Sequence, residues 1–275
     1  KVAADYKNKY DGYVFNSKFY ENDFGGFIGL NRSWGYSHFY VTKFDQQLGL
    51  IEGNRDDVTG KFLKLINNGG VEAEAIATAT DFKSTDPFIP GQRIQHTKVA
   101  TDNNFNIGKN RLTFVLGYQR NQRQEFGNVL APKEKGLYFD LGTVDYNLQC
   151  HFAEKKNWKT TIGINGMQQV NSNRGIDFLI PAYSLFDIGG FIYSQKKINS
   201  LTISGGLRFD NRSLNSKELI LGLVEKFAAF KKNFSNMSGS AGLAYQANKK
   251  VTVKFNVARG FRGPSIPELA SNGAH

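Results

Sequence analysis

Two arginines near the C-terminus, Arg259 and Arg262, are the residues best suited to bind a charged ligand. A guanidinium group binds a carboxylate or a catecholate-type oxygen in a fork geometry, and it stays charged at physiological pH. The interpretation we favour is that both arginines instead pin a loop to neighbouring carboxylates. Pro264 and Pro267 fix the backbone of this loop and interrupt strand pairing, and Glu268 is predicted to anchor the loop rather than to bind substrate.

The sequence has no recognisable catalytic or metal motif. It lacks the GxSxG, HExxH, P-loop and dinucleotide-binding glycine patterns. The four histidines have no metal-ligand spacing, and the single cysteine excludes an intramolecular disulfide and a CxxC site. Scattered Asp and Glu residues could form a glycosidase pair, but a single sequence does not show two carboxylates meeting. We therefore expect no enzyme activity, no metal site and no cofactor.

The composition favours strands, since the 275 residues include 23 Phe, 12 Tyr and 29 Gly. No run approaches the roughly 18–20 apolar residues of a transmembrane helix. Much of the net charge of +11 lies in short turns as Lys-Lys pairs. Because these pairs form no single patch interleaved with aromatic residues, and no nucleic-acid motif is present, nucleic-acid binding is not expected. Lysines at strand ends also suit the anionic surface of an outer membrane.

Apolar and polar residues alternate over long stretches, which is typical of strands with one apolar and one polar face. Residues 251–258, for example, place Val, Val, Phe and Val on one side and Thr, Lys, Asn and Ala on the other. Several stretches exceed the roughly 9–11 residues that cross a bilayer. The predicted strands are 10–20, 24–31, 36–45, 93–107, 111–125, 137–151, 158–171, 184–194, 200–212, 233–246 and 251–261.

The connections between these strands alternate between two classes, which predicts a meander with short turns at one end and long loops at the other. This is the layout of an outer-membrane β-barrel, although a soluble sandwich or barrel remains the alternative. The long connections are about 46–92, 126–136, 172–183, 213–232 and the tail from 262. A short helix is predicted near residues 58–66, inside the longest of them. Arg120, Arg208, Asp210 and Lys254 are predicted to line the lumen, as an inner wall that faces solvent or another part of the protein rather than the substrate.

The C-terminal motif carries a resemblance to a known family. Residues 256–269 read Asn-Val-Ala-Arg-Gly-Phe-Arg-Gly-Pro-Ser-Ile-Pro-Glu-Leu. This resembles the Arg-x-Phe-Arg-x-Pro segment, followed by Glu-Leu, of TonB-dependent outer-membrane receptors, with Phe261 and Leu269 at the matching positions. In that family the segment ends a barrel strand and begins an extracellular loop.

The resemblance implies that residues 1–275 are part of a 22-stranded transmembrane β-barrel, an interior fragment without its plug domain. It implies active uptake of a scarce nutrient across the outer membrane of a Gram-negative bacterium, most often a ferric siderophore or haem. The implied partners are the TonB-ExbB-ExbD complex, acting through the missing plug, and outer-membrane lipid or lipopolysaccharide. It also makes His275 a candidate iron-binding residue if the ligand is haem. Alternatives are a soluble or surface β-sheet module such as an adhesin, and a passive porin.

Overall fold

The structure, a computed structural model, describes residues 1–270, which are almost entirely β-strands and loops. The strands are β1 (Val2–Ala3), β2 (Lys7–Asn8), β3 (Gly12–Tyr13), β4 (Phe19–Arg32), β5 (Gly35–Gly49), β6 (Leu63–Asn68), β7 (Val71–Ile76), β8 (Gly91–Ile107), β9 (Asn110–Phe126), β10 (Tyr138–His151), β11 (Trp158–Asn173), β12 (Tyr183–Ile198), β13 (Leu201–Ser216), β14 (Leu219–Leu221), β15 (Val224–Phe227), β16 (Phe230–Gln246) and β17 (Thr252–Arg259). The helices are α1 (Ala79–Lys83) and α2 (Ile266–Ala270).

Eleven of these strands form one antiparallel sheet, in the order β1-β4-β5-β8-β9-β10-β11-β12-β13-β16-β17. Apart from the two-residue β1, its members are 8 to 17 residues long. The strand pairs β2-β3, β6-β7 and β14-β15 are hairpins within the connections. The prediction of an all-β antiparallel meander of about eleven strands is confirmed, with ten long strands and one short one.

The first predicted strand, residues 10–20, is wrong. The chain turns at Asn16, which has a φ of 61°, and β4 begins only at Phe19. Asn16 is buried, and its side-chain amide donates to the carbonyl oxygens of Leu50 (3.1 Å) and Pro90 (2.7 Å). These partners are distant in sequence, so the local alternation could not reveal them. The ends of the other ten predicted strands differ from the observed ones by five residues or fewer.

The long strands keep one register, so their side chains fall on two continuous faces. A row of directly paired residues runs from Leu116 through Tyr146 and Gly166 to Ile188, and we call the face to which it belongs the apolar face. The adjacent row joins Val115, Asn147, Asn165, Gly189, Asp210 and Asn236, and we call the face to which it belongs the polar face.

The large side chains of the apolar face are not covered by a second layer among the described residues. Ile164 is 46% exposed, Leu207 59% and Phe255 64%. A soluble sandwich or barrel would bury these side chains against another sheet or within its own interior. The exposed apolar face therefore argues against the soluble alternative.

The boundary of the apolar band is not level across the sheet. On β9 the continuous run of apolar side chains ends at Tyr118, and Val144 on β10 and Phe186 on β12 lie in the same row. This row reaches Asn233 on β16. On the apolar face of β16, however, the large apolar side chains begin only at Met237, four residues further along, so the boundary shifts between β12 and β16. Offsets along the strands are required when the tilted strands of a barrel cross a flat bilayer.

The longest connection, residues 50–90 between β5 and β8, is folded rather than open. It contains the β6-β7 hairpin and α1, which begins after the N-cap residue Thr78 with a capping box between Thr78 and Asp81. The predicted helix near residues 58–66 is wrong, because Leu63–Asn68 forms β6 and the helix lies further along the chain. A small apolar cluster packs this connection against the N-terminal segment, and its buried members are Val14, Phe15, Phe62 and Ala77.

A buried lysine holds this corner together. Lys18 is fully buried, and its Nζ lies 3.3 Å from the carboxylate of Asp5 and 4.7 Å from the ring centroid of Phe88. Asp5 also accepts from the backbone N–H of Lys18 at 3.0 Å. Since an unpaired buried charge is costly, this ion pair stabilises the buried ammonium group, which also donates to the backbone carbonyl of Asp81 and so ties the N-terminal segment to the long connection.

We predict that Gly166→Ala destabilises the sheet by about 1–3 kcal/mol. A Cβ at this position would overlap the carbonyl oxygen of Asp187 and lie 2.6 Å from the Tyr146 hydroxyl. Gly26 is the matched control, since it lies on the same face, in β4, with nothing within 4 Å of an added Cβ. Urea unfolding of the full-length protein in micelles measures both variants. Equal unfolding midpoints for Gly166→Ala and Gly26→Ala would contradict the prediction.

Candidate functional site

A cavity of about 640 Å³ lies between the polar face of the sheet and the segment that follows β17. Polar and charged side chains dominate its wall, together with Phe261 and Arg262 from the C-terminal motif. The lining residues that carry charge are Asp145, Asp187, Arg208, Asp210, Arg212 and Arg262. The cavity therefore combines positive and negative groups and is suited to a polar ligand or to a polar segment of another domain.

Arg212 fixes the C-terminal motif to the wall of this cavity. Its Nε and Nη2 donate to the two carboxylate oxygens of Asp187, at 2.8 and 2.6 Å. Its Nη1 donates to the carbonyl oxygens of Gly263 (3.1 Å) and Pro264 (3.2 Å). Arg212 lies on β13 and Asp187 on β12, so one guanidinium joins two strands and the motif. Sequence reasoning missed this pair, since its members are 25 residues apart.

Hydrogen bonds to one carboxylate organise the motif. The carboxylate of Glu268 accepts from the backbone N–H of Ser265 (2.7 Å) and from its hydroxyl (2.9 Å). Arg262 also donates to Glu268, with its Nη1 at 3.1 Å. The hydrogen bond from Arg262, followed by those from Ser265, lowers the pKa of Glu268 to about 2. The Ser-x-x-Glu spacing of residues 265–268 is a sequence signal for a helix start that the prediction did not use.

One apolar side chain from the motif enters the sheet. Ile266 is only 2% exposed and packs against Tyr183, Leu185 and Leu214, all on the polar face. Burying a side chain of this size stabilises the docked segment by about 1.5–3 kcal/mol. Polar ties from Arg212 and apolar burial of Ile266 therefore hold the same segment from two sides.

The predicted ligand-binding residues do not come together. Arg262 lines the cavity but is paired with Glu268. Arg259 pairs with Gly239 and shares the apolar face with Val257, so the register directs it away from the cavity. His275 lies outside the described residues.

The predicted structural residues of the motif lie around the same cavity and helix. Phe261 lines the cavity, and the carbonyl of Pro264 accepts from Arg212. Pro267 and Leu269 belong to α2, where Leu269 is 38% exposed. Their proposed role in shaping the loop thus remains compatible with their positions.

The four residues predicted to line the lumen divide between the faces. Arg208 and Asp210 lie on the polar face and form an ion pair, and Arg208 also donates to Asn165 at 2.7 Å. Lys254 shares that face through its pairing with Ala244. The register corrects the prediction for Arg120, which lies on the apolar face in line with Leu116 and Tyr118.

Arg120 binds Asp140 on the same face through two hydrogen bonds of 2.7 Å. Both residues lie beyond the apolar band, toward the long connections, where polar residues occupy both faces of the strands. Polarity alone therefore could not show which face Arg120 belongs to.

A second cavity, of about 560 Å³, lies at the folded corner of the long connection. Aromatic side chains and basic groups line it, among them Tyr13, Phe62, Phe82, Arg55 and Lys83. The Arg55 guanidinium lies 3.8 Å from the centroid of the Phe62 ring. Such a wall is suited to a ligand that carries both negative charge and flat apolar groups.

Residues 1–270 contain no group of three or more His, Cys, Asp and Glu side chains that could hold a metal ion. Over the same residues, no helix has the length and apolar character needed to cross a membrane.

Comparison with known proteins gives a consistent match. The family described as TonB dependent receptor-like, beta-barrel, matches residues 1–275. The fold is similar to that of the FrpB iron transporter from Neisseria meningitidis (F3-3 variant), with a TM-score of 0.64 and 13% identity over 96% of this chain and 41% of that chain. The apoprotein form of the F5-1 variant of the same transporter has a TM-score of 0.62 and 13% identity, over 97% of this chain and 40% of that chain.

The fold is also similar to that of the ferric yersiniabactin uptake receptor FyuA from Yersinia pestis, with a TM-score of 0.52 and 10% identity over 90% of this chain and 38% of that chain. A search of curated proteins finds no match to the sequence. These structural likenesses show the fold, and the chain spans about two fifths of the length of the solved structures.

We predict that Arg212→Lys releases the C-terminal motif, because lysine cannot reproduce the fork to Asp187 together with the two carbonyl contacts. Hydrogen exchange of residues 262–270 in the full-length protein should rise about tenfold or more, as expected for loss of charged hydrogen bonds. Arg93→Lys is the matched control, since Arg93 makes the same fork to Asp45, at 2.9 and 2.7 Å, without touching the motif. Unchanged exchange in Arg212→Lys, or an equal rise in Arg93→Lys, would refute this role.

We also predict that the Glu268 contacts are lost only in acid. Because the folded-state pKa of about 2 lies below the ordinary 4.5, the stabilisation is present above pH 4.5 and is lost as the pH falls toward 2. The amide hydrogen-exchange rate of residues 262–270, corrected for the intrinsic rate, should therefore be constant from pH 7 to 5 and rise below pH 5. Glu268→Gln should weaken this dependence, whereas Glu218→Gln, at an exposed loop position, should keep it. A dependence unchanged by Glu268→Gln would contradict the assignment.

Proposed function

The chain belongs to the TonB-dependent receptor-like β-barrel family, and from that premise we propose that it is part of an outer-membrane receptor that imports a scarce nutrient into a Gram-negative bacterium. The observation that carries the proposal is the exposed apolar face, on which a band of large apolar side chains crosses the sheet beside the short turns. In the proposed orientation this face contacts lipid and the polar face lines the lumen. The short turns then lie on the periplasmic side and the long connections outside the cell.

The proposed transport is active. Energy comes from the TonB-ExbB-ExbD complex and reaches the barrel through a plug domain, which none of the described residues forms. The barrel itself breaks no covalent bond, and its contribution is to bind the ligand and to surround its path. Outer-membrane lipid or lipopolysaccharide surrounds the apolar face.

The proposed ligand is a ferric siderophore or haem. The names of two similar structures, an iron transporter and a ferric yersiniabactin uptake receptor, support iron as the cargo. The two cavities provide the complementary chemistry: arginines beside the polar face and an aromatic, basic wall at the folded corner. An iron chelate bearing negative charge and flat ring systems would be stabilised by both kinds of contact.

Arg262 and Phe261 are the motif residues that we propose to contact the ligand, since both line the larger cavity. Arg208 is the proposed third contact, on the opposite wall. Arg259 is left out because its side chain lies on the apolar face.

Uptake of a radiolabelled ferric chelate under iron limitation tests the transport proposal. Cells that lack the gene should lose uptake of the relevant chelate, the intact gene should restore it, and a protonophore should abolish it. Uptake that survives the protonophore would indicate a passive porin. Normal uptake of every chelate and of haem in the deletion strain would remove iron as the cargo.

The lumen assignment has its own test in two arginine variants. Arg208→Gln should raise the ligand concentration needed for half-maximal uptake, because it removes a cation from the cavity wall. Arg120→Gln removes the same charge, also from a pair with an aspartate, on the apolar face. Both variants should reach the membrane in equal amounts, measured by surface labelling. An equal effect of the two variants on uptake would contradict the assignment.

A further inference from the structure

The positive charge of this protein is concentrated at one end of the sheet. The five short turns and the strand residues beside them (31–36, 106–112, 150–160, 195–203 and 245–254) contain eleven of the 35 Lys and Arg residues and one of the 24 Asp and Glu residues. The basic residues are Arg32, Lys109, Arg111, Lys155, Lys156, Lys159, Lys196, Lys197, Lys249, Lys250 and Lys254. The rest of the chain, with 24 basic and 23 acidic residues, is almost neutral. We call these five segments the basic rim.

The basic rim is also poor in internal ion pairs. Among the described residues, only Lys159 of the rim has an acidic partner, Glu154 at 3.4 Å. The other eleven ion pairs of the described chain involve basic residues outside the rim, such as Arg93, Arg120 and Arg212. Within the described chain, eleven of the 24 basic residues outside the rim thus take part in ion pairs, whereas only one of the eleven in the rim does, so the rim is the part of the chain richest in basic groups available to an external anion.

The rim directly continues the apolar band. Trp158, at the start of β11, is 45% exposed, and the Nζ of Lys196 lies 5.1 Å from the centroid of its ring. Trp34 stacks on Phe105 at the β4-β5 turn, with centroids 5.5 Å apart. Tryptophan beside lysine at the edge of an apolar surface is the arrangement that suits a membrane–water interface.

The spread of the positive charge along the rim favours a lipid surface, rather than a single acidic peptide, as the partner of the rim. Every one of the five turns contributes at least one basic residue. Successive turns are two strands apart, or roughly 10 Å, so the rim extends over about 40 Å along the sheet. A row of many small anionic headgroups matches this spacing, whereas one acidic segment would have to follow the whole arc.

We propose that the basic rim, apart from its residues on the polar face such as Lys254, binds the headgroups of anionic phospholipids in the membrane leaflet that surrounds the short turns. This inference rests on the proposed function, since it requires the apolar face to be in a bilayer. Each headgroup offers phosphate oxygens to the lysine ammonium groups, and the Trp158 ring lies at the level of the interface. The rim thereby fixes the depth of the barrel and surrounds its short-turn end with anionic lipid.

The test uses the full-length protein in phosphatidylcholine nanodiscs that contain a minor fraction of spin-labelled phosphatidylglycerol. The rim variant replaces Lys155, Lys156, Lys249 and Lys250 by Gln, all of them exposed. The control variant replaces four exposed lysines outside the rim by Gln and so removes the same charge. These control positions are Lys9, Lys133, Lys217 and Lys232.

The wild type and the control variant should prefer phosphatidylglycerol to phosphatidylcholine. In the rim variant this preference should be lower by at least about fivefold. The preference should also fall as salt is raised. No preference in the wild type, an undiminished preference in the rim variant, or an equal loss in the control would overturn the inference. Preferential binding of a polyglutamate peptide in place of the lipid would also overturn it. Failure to enter phosphatidylcholine discs at all would instead count against the proposed function.

Discussion

The structure depends on one constraint, an unbroken antiparallel register across its ten long strands. Side chains alternate with a period of two, so a slip of one residue in any pair would exchange the two faces of every strand beyond it. In the main sheet, as far as the structure describes it, each strand pair keeps a single register along its whole length. This continuity is what turns ten separate alternating segments into one apolar surface and one polar surface.

The same constraint explains which parts of the fold could be predicted from the sequence. Ten strands were recognisable because their apolar residues must all point the same way. The segment 10–20 was misread because the turn at Asn16 is set by carbonyl groups from Leu50 and Pro90, which local alternation does not record. Arg120 was assigned to the wrong face because both faces become polar beyond the apolar band, where residue type no longer reveals orientation.

The candidate site was less predictable, for a different physical reason. The motif around Arg262 could be recognised, but its attachment depends on Arg212 and Asp187, two residues that only the β12-β13 register brings together. The burial of Ile266 against Leu214 likewise needs the folded sheet. The contact between Ser265 and the Glu268 carboxylate is local, and it alone could have been predicted from spacing. Sequence therefore indicated the segment, whereas its contacts follow from the tertiary structure.

The net charge of the protein can be interpreted only once the strand register shows where the charged residues lie. A total of +11 on 275 residues suggests a polyanion as partner, yet outside the five short turns the basic and acidic residues nearly balance in total. The arginines elsewhere are largely committed to carboxylates on adjacent strands, as Arg93 is to Asp45 and Arg208 to Asp210. The basic residues of the five short turns and the edge of the apolar band lie at the same end of the sheet. The charged surface and the apolar surface therefore meet at that end. An electrostatic property that looked global in the composition is thus a local property of one end of the barrel wall.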